Sequence, residues 1–479
     1  MRLIALFALP LLAGLSSYAL PAHRATRLRT GMLVGTAAAH LGLVATLWIA
    51  PSSPVFRGWL GVDALGLIVL TLTSVLFFTT ALYAVGYLAR ERPRGGRVFV
   101  TGLLAFLAAA SIVALSQHLA LLWVGIEATT LALAPLVFHR HDRRSLEAVW
   151  KYLVISSVGI ALALLGIFFL ASAQAGVAGR SLILADLVAH ARDLHPAWLR
   201  AAFLLLLVGF GTKMGLAPMH TWKPDTYGEA PSLVGALMAG ALTSCAFLGL
   251  ARATEVVMAA GSGSFVRPVL IAFGLFSLVV AAGFLVGQTD LKRLLAYSSV
   301  EHVGFLVLGL GLGGVGAQGA VLHVLNNGLA KGWLFLVAGN VVLATGSSTA
   351  AKNRGLVRVL PVSGILLVLG LFAVTGSPPF GLFISEFTIL RAAAGAGHPW
   401  IAALVLLMLA VIFVGMAAMI LEMALGAPAP GVAAVRESRW LVIGPVVLAT
   451  AVLLLGIYIP APLRSVIAQA ATALGGSPP

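Results

Sequence analysis

Residues 62–88 read VDALGLIVLTLTSVLFFTTALYAVGYL. After Asp63 this stretch carries no charge, and it exceeds the roughly 20 apolar residues that cross hydrocarbon as a helix. It is far longer than a tilted barrel strand. In lipid the backbone has no water to bond, so a run of this length satisfies its own N–H and C=O groups by coiling into a helix. The runs 31–50 and 399–425 have the same character. The pattern fills the chain: 60% of its 479 residues are hydrophobic and 9% are charged, against about 25% charged in a soluble domain. Fourteen spans emerge, near 3–20, 31–50, 62–88, 98–115, 119–138, 152–173, 200–219, 231–251, 267–287, 295–312, 319–345, 359–392, 399–425 and 439–460. The sequence therefore predicts an all-α polytopic membrane protein, lodged in a lipid bilayer.

The formal net charge of +15 does not indicate a nucleic-acid partner, because the basic residues are dealt out among the connections. With the N-terminus outside, nineteen of them fall on the cytoplasmic side, in groups at 24–29, 90–97, 140–151, 223, 292–293, 352–358 and 436–439, and nine fall opposite. That asymmetry places both termini outside a prokaryotic cytoplasmic (inner) membrane. The single cysteine, Cys245, excludes a disulfide framework and an iron–sulfur cluster held by this chain alone. The first 22 residues suit either a cleavable signal peptide or a retained first helix; thirteen further spans favour the helix.

Lys213 and Lys331 belong to neither side, since both fall inside spans. An ionisable group at mid-bilayer depth costs upward of about 2.5 kcal/mol and persists where it faces a bundle interior or hydrated cavity with a partner. Four positions fit: Glu127 (LLWVGIEATTLAL), Lys213 (LLLVGFGTKMGLAPMH), Lys331 (LHVLNNGLAKGWLFL) and Glu386 (SPPFGLFISEFTIL). The bland alternative is a pair of static ion bridges, although such pairs often add little net stability. Glu422 and Asp63 lie at span ends and read as interfacial.

Helix breaks accompany the charges. Pro218 cannot donate to the carbonyl of Met214, so the helix loosens just after Lys213. Pro378 and Pro379 precede Glu386. Discontinuous helices are tolerated in membranes beside cavities or protein, and they mark ion paths in proteins built from inverted repeats. Pairing spans 4–8 with 9–13 puts Lys213 and Glu386 each in the fourth helix of a five-helix unit. The expected organisation is a three-helix segment (1–97), two repeats (98–258 and 259–425) and a C-terminal helix (426–479).

His323, Asn327 and Lys331 recur at i, i+4, i+8 and share one helical face. This polar stripe reads as a helix–helix hydrogen-bond seam or as a hydrated relay. Glu301, His302 and His220 could link such a relay to the cytoplasm, or each could be merely interfacial. No phosphate-cradling loop, metal-ligand pair or nucleophile elbow occurs, so neither a metal nor a cofactor is expected in this chain.

Four ordered motifs carry a family resemblance: GTKMGLAPMHTWKPDTYGEAP (211–231), DLKRLLAYSSVEHVGF (290–305), HVLNNGLAKGWLFLVAGN (323–340) and GSPPFGLFISEF (376–387). They resemble the antiporter-like subunits of respiratory complex I, Mrp antiporters and hydrogenase-4 or formate hydrogenlyase, over nearly the whole chain. Segments 123–141 and 145–166 look most like the hydrogenase-4 F-type subunit. The resemblance implies fourteen helices with two inverted five-helix repeats, a Glu127–Lys213 pair, and a polar axis continued by Lys331 and Glu386. One departure matters: where many members carry a lysine in the eighth helix, AGALTSCAFLGLAR (239–252) offers Thr243 and Ser244, which hold water but store no proton. The sequence also ends soon after span 14, without the long lateral helix of the largest complex I antiporter-like subunit.

The expected function is proton translocation driven by redox chemistry in a peripheral module, with further membrane subunits as partners. Lys213 exchanges its proton as Glu127 approaches or is screened, since a nearby opposite charge favours an ammonium, and Lys331 and Glu386 pass it on. The alternatives are a Mrp-type cation/proton antiporter subunit, an energy-coupling membrane partner of a carbonate-handling protein, and a non-conducting scaffold.

Overall fold

The computed structural model describes residues 1–21, 26–90, 96–176, 179–395, 397–428 and 434–475. Arg24, Arg92 and Arg94 from the charge count lie outside these residues. Helices are α1 (Arg2–Ala19), α2 (Thr26–Ile49), α3 (Ala64–Arg90), α4 (Gly96–Leu115), α5 (Leu119–Val137), α6 (Arg143–Ala173), α7 (Pro196–Met214) and α8 (Trp222–Glu229). They continue as α9 (Ser232–Ala259), α10 (Gly263–Leu285), α11 (Leu291–Leu312) and α12 (Val315–Thr345). The last are α13 (Pro361–Val374), α14 (Gly381–Gly395), α15 (Pro399–Leu425), α16 (Arg439–Ile457) and α17 (Ala461–Ala473). Among the described residues, thirteen helices are long and apolar enough to cross a membrane. The twelfth span is instead two shorter helices, α13 and α14, of 14 and 15 residues.

Burial sorts these helices by role. The apolar stretches of α9 and α11 are buried all round, whereas those of α1, α15 and α16 are only 28% buried and present Leu12, Leu15, Leu407, Val414 and Ile457 outward. A helix apolar on every side belongs either in a bundle centre or against lipid, and this chain uses both. The two halves meet where α9 packs on α12 and α8 on α11, with α3 and α16 packed beside α12. Beyond α16 the short α17 folds back on α3 and α12.

Helix starts extend past the hydrocarbon-length runs because polar caps hold them. α6 begins at Arg143, well ahead of the start at 152 expected from hydropathy. Asp142 and Ser145 form a capping box there, each side chain bonding the other's backbone N–H, which satisfies amides left open at a helix start. The Ser145 N–H holds the Asp142 carboxyl below the usual carboxylate range. Asp290 caps α11 in the same way, accepting from the amides of Lys292 and Arg293 at 2.9 and 3.0 Å. At the opposite end of the bundle Arg252, one of the nine basic residues counted on the exterior side, is 1% exposed. Its guanidinium bonds both oxygens of Asp63 at 3.0 and 3.1 Å and the carbonyl of Ser116, tying α9 to the start of α3 and the end of α4.

The breaks begin earlier than the prolines. α7 stops at Met214 because Gly215 turns left-handed (φ 78°). Leu216 N–H then bonds Gly211 O at 2.8 Å and Gly215 N–H bonds Thr212 O at 3.1 Å. This paired closure, with a glycine at the left-handed position, is a Schellman ending. The second break repeats it: Gly376 has φ 64°, Ser377 N–H bonds Phe372 O at 2.9 Å, and Gly376 N–H bonds Ala373 O at 3.3 Å. In both, a proline in a cis peptide follows three residues after the glycine, Pro218 and Pro379. Trp222 Nε1–H covers the carbonyl of Thr212 at 2.9 Å, and Ser277 accepts the Ala217 amide at 3.0 Å. The expectation that Pro218 opens the first break is thus corrected: the glycine ends the helix, and the proline sits within the turn.

Candidate functional site

Lys213 is fully buried at the end of α7. Its ammonium donates to Thr130 Oγ1 at 2.6 Å and Tyr152 Oη at 3.0 Å and stands 4.6 Å from the centre of the Tyr152 ring. Thr130 lies one turn from Glu127 on α5 and donates toward Glu127 Oε2 at 3.3 Å. Lys213 and Glu127 are therefore brought together, yet not in direct contact; a hydroxyl separates them.

Lys331 repeats this arrangement on other helices. Its ammonium donates to Ser298 Oγ at 2.7 Å, and Ser298 donates to Glu301 Oε2 at 3.2 Å. Ser298 and Glu301 are again one turn apart, on α11. All three side chains are fully buried. A hydroxyl between ammonium and carboxylate lengthens the charge separation, and at low effective dielectric a few ångströms alter the Coulomb energy substantially. Such a pair can tighten to contact or loosen, and the proton affinity of the lysine follows. Thr130→Val and Ser298→Ala should each slow proton movement roughly tenfold, less than loss of a lysine, because the ionisable groups remain. Dye-monitored acidification of membrane vesicles would check this; wild-type rates in both variants would make the hydroxyls passive packing.

A third group lies on α11, α12 and α14. His302 Nδ1 is 3.1 Å from His323 Nε2, His323 Nδ1 is 2.8 Å from Ser385 Oγ, and His302 Nδ1 is 3.7 Å from Glu386 Oε1. The hydrogens follow from the network. Ser385 gives its own hydrogen to Leu382 O at 2.9 Å, so it accepts from His323 Nδ1–H. His323 Nε2 then accepts, and His302 Nδ1–H donates to it. The two imidazoles thus form a directional chain in which each ring can take a proton on one nitrogen and give one from the other.

These three donor residues, His302, His323 and Glu386, bring ligand atoms within 4.8 Å of one another, close enough for one divalent ion. Lys331 and Lys223 both lie near His302, so a metal would share the space with two lysine amines. The chemistry of the set suits protons better.

Several buried polar atoms have no hydrogen-bond partner in the protein: Glu301 Oε1, His302 Nε2, Asn326 Oδ1, Asn327 Oδ1, Glu386 Oε1, His220 Nδ1 and Lys223 Nζ. Buried polar groups are ordinarily bonded to protein or ordered water, so this trail marks space that water would use. Asn327 bonds neither His323 nor Lys331, although it shares their helical face. His220 stands apart, with its ring near Phe284 and Tyr297. In α9 a π-turn spans Met238–Leu242; Thr243 donates back to Met238 O at 3.1 Å and Ser244 to Gly240 O at 2.7 Å. Both hydroxyl hydrogens are thus spent on their own helix. Pro378 and Pro379 lie in the second break, against which the Glu386 carboxylate packs: it fills the place a Cβ would take on Gly376.

Sequence reasoning missed Thr130, Tyr152, Ser298, Ser385 and Lys223. Spacing of three from a buried glutamate could have flagged Thr130 and Ser298, but hydroxyls are common in membrane helices. Lys223 is counted with the cytoplasmic connections because it falls between the spans 200–219 and 231–251. Asp225 does reach the surface, bonding Lys151 at 2.8 Å and Arg293 at 3.0 Å in a cleft of about 430 Å³ that Arg140, Glu147, Glu229 and Asp290 also line. Lys223 points the other way and is fully buried.

Residues 116–415 match the family model described as NADH:quinone oxidoreductase/Mrp antiporter, transmembrane. A protein named hydrogenase-4 component F homolog, from Methylacidiphilum infernorum, is 35% identical over 342 residues, covering 69% of this chain and 72% of that protein. Hydrogenase-4 component B of Escherichia coli is 29% identical over 363 residues, covering 73% of this chain and 53% of its own length; of that relative the chain spans about half. Among solved structures, a chain of the membrane-bound sulfane sulfur reductase, described as an archaeal respiratory membrane complex, superposes with a TM-score of 0.88 at 23% identity, covering 99% of this chain and 98% of its own.

Proposed function

Given that the chain belongs to the NADH:quinone oxidoreductase/Mrp antiporter transmembrane family, we propose that it is the proton-translocating membrane subunit of a multi-subunit complex driven by redox chemistry in other subunits. One observation carries the reading: two lysine–hydroxyl–glutamate triads, Lys213–Thr130–Glu127 with a half-buried glutamate and Lys331–Ser298–Glu301 buried throughout, in one bundle with the His302–His323 chain. Static ion bridges would be expected in direct contact; these are held one hydroxyl apart. The relatives named as hydrogenase-4 components support a hydrogenase-linked complex. The excess of basic residues in alternate connections of the sequence supports a cytoplasmic membrane location with both termini outside.

In this scheme Lys213 receives a proton at the first break, and Glu386 releases it beyond the second. Approach of Glu127 to Lys213 retains the proton; withdrawal frees it. Glu301 acts on Lys331 likewise, and a proton taken up at His302 Nε2 passes from His302 Nδ1 to His323 Nε2 and from His323 Nδ1 toward Ser385. Redox centres, quinone and the driving module belong to partner subunits; no cofactor is assigned to this chain.

A second reading, cation/proton exchange, draws on the unpartnered oxygens of Glu301, Asn326, Asn327 and Glu386, since hard cations take oxygen ligands. The Lys331 ammonium near these acids counts against it. Acidification of vesicles containing the assembled complex should run equally well in sodium and in choline medium. Strict dependence on sodium would overturn the proton reading. Unchanged coupling after joint neutralisation of Lys213, Lys331 and Glu386 would leave a scaffold, or an energy-coupling partner of another protein such as a carbonate-handling one.

A further inference from the structure

We propose that Lys223 is a further proton-binding site, and that it joins the two halves of the path. The inference rests on the proton-translocation reading above and supplies its missing link. Lys223 follows the first break and is fully buried. Its aliphatic chain lies across Gly215, where the position of an added Cβ would be 2.6 Å from Lys223 Cε and 3.1 Å from Nζ. The glycine leaves room for the amine beside the end of α7, two residues from Lys213.

The second break is built the same way, with the Glu386 carboxylate lying across Gly376. Each break thus has a left-handed glycine, a proline three residues later, and a buried ionisable side chain from the resumed helix folded back over the glycine. By this match the counterpart of Glu386 in the first half is Lys223. Lys213 lies before its break, whereas Lys223 and Glu386 lie after theirs.

The surroundings place Lys223 between the halves. Lys331 on α12 and His302 on α11 are both within reach of its charge. His220 of the break also feels it, and its amine is 5.7 Å from the Tyr227 ring on its own helix. Tyr227 in turn packs edge-on to Phe335, one turn from Lys331, at 5.4 Å. Toward the first half, Tyr227 contacts Trp222, and Trp222 contacts Tyr152, the Lys213 partner.

A buried lysine of purely structural purpose looks different, and Lys292 provides the comparison. It is equally buried, but its ammonium bonds the carbonyls of Gly228 and Ala230 at 2.7 and 2.5 Å, closing the C-terminal end of α8 as a cation should. Lys223 Nζ has no hydrogen-bond partner in the protein. Such an amine offers a lone pair or three N–H donors according to its protonation, and no neighbour fixes either state. The hydroxyls of Thr243 and Ser244, bonded into their own helix, cannot store a proton.

The test uses the assembled complex in membrane vesicles, with proton translocation per turnover and its pH profile as readouts. Lys223→Met keeps the length and removes the base; Lys223→His keeps a proton-binding group and is the poorer fit. A proton-carrying role predicts that Lys223→Met loses about a hundredfold, while Lys223→His retains transport with its optimum moved to lower pH. A structural role predicts the reverse ranking. Wild-type translocation in Lys223→Met, with Lys213→Met inactive, overturns this inference alone; activity in both Lys213→Met and Lys331→Met overturns the proton-path reading itself. Should Lys223→Met fail to assemble, the histidine variant decides, and an unmoved pH profile counts against the proposal.

Discussion

Lys213→Met is expected to lower proton translocation by about a hundredfold or more, the scale of losing a positioned proton carrier, while the protein still assembles. Methionine fills most of the lysine volume, and the site tolerates the change because Lys213 closes no helix and contacts no carboxylate directly. Its two partners remain provided for: Thr130 keeps the carbonyl of Ile126 at 3.4 Å, and the Tyr152 ring stays packed on Trp222 at 5.2 Å. What disappears is the group that binds a proton between Glu127 and the break. Vesicle acidification, normalised to complex content on a native gel, would measure the effect. Full acidification by the Lys213→Met variant would remove Lys213 from the path.

Arg252→Met should act in the opposite sense, on stability. The Arg252 guanidinium is committed to both Asp63 oxygens and to the Ser116 carbonyl. Removing one partner of a buried pair leaves the other uncompensated, at a cost of about 3–5 kcal/mol. Asp63 retains 31% side-chain exposure, so the lower end applies. A clearly lowered thermal midpoint in detergent, with the Arg252→Met/Asp63→Asn double variant less affected than the sum of the singles, would confirm the pair as a clamp between α3, α4 and α9. Unchanged unfolding of Arg252→Met would show that water relieves Asp63.

These two residues show how one membrane chain uses buried charge for two ends. Arg252 has fixed, saturated, direct bonds at the rim of the bundle. The ammoniums of Lys213 and Lys331 are held one hydroxyl away from their acids, and Lys223 has no hydrogen-bond partner in the protein. Saturation rigidifies, whereas separation leaves a low-barrier choice between arrangements.

Composition and run length determined the helical membrane fold, because lipid leaves the backbone no alternative. They also singled out Lys213, Lys331, Glu127 and Glu386, because a charge in an apolar run stands out from its neighbours. The polar face of His323 was legible from helical spacing alone, and the family from four ordered motifs. Only the tertiary structure decided what each charge touches. The bridging roles of Thr130 and Ser298 depend on which helix faces α7 and α12, and a hydroxyl one turn from a glutamate carries no such information by itself. The breaks were legible, but their cause was not: Gly215 and Gly376 end the helices through left-handed closures, and nothing local sets them apart from the many other glycines of the chain. Lys223 was the furthest from reach, since it falls in the polar connection between the spans 200–219 and 231–251. Its burial follows from the way α8 folds back over Gly215, a long-range arrangement that local sequence does not encode.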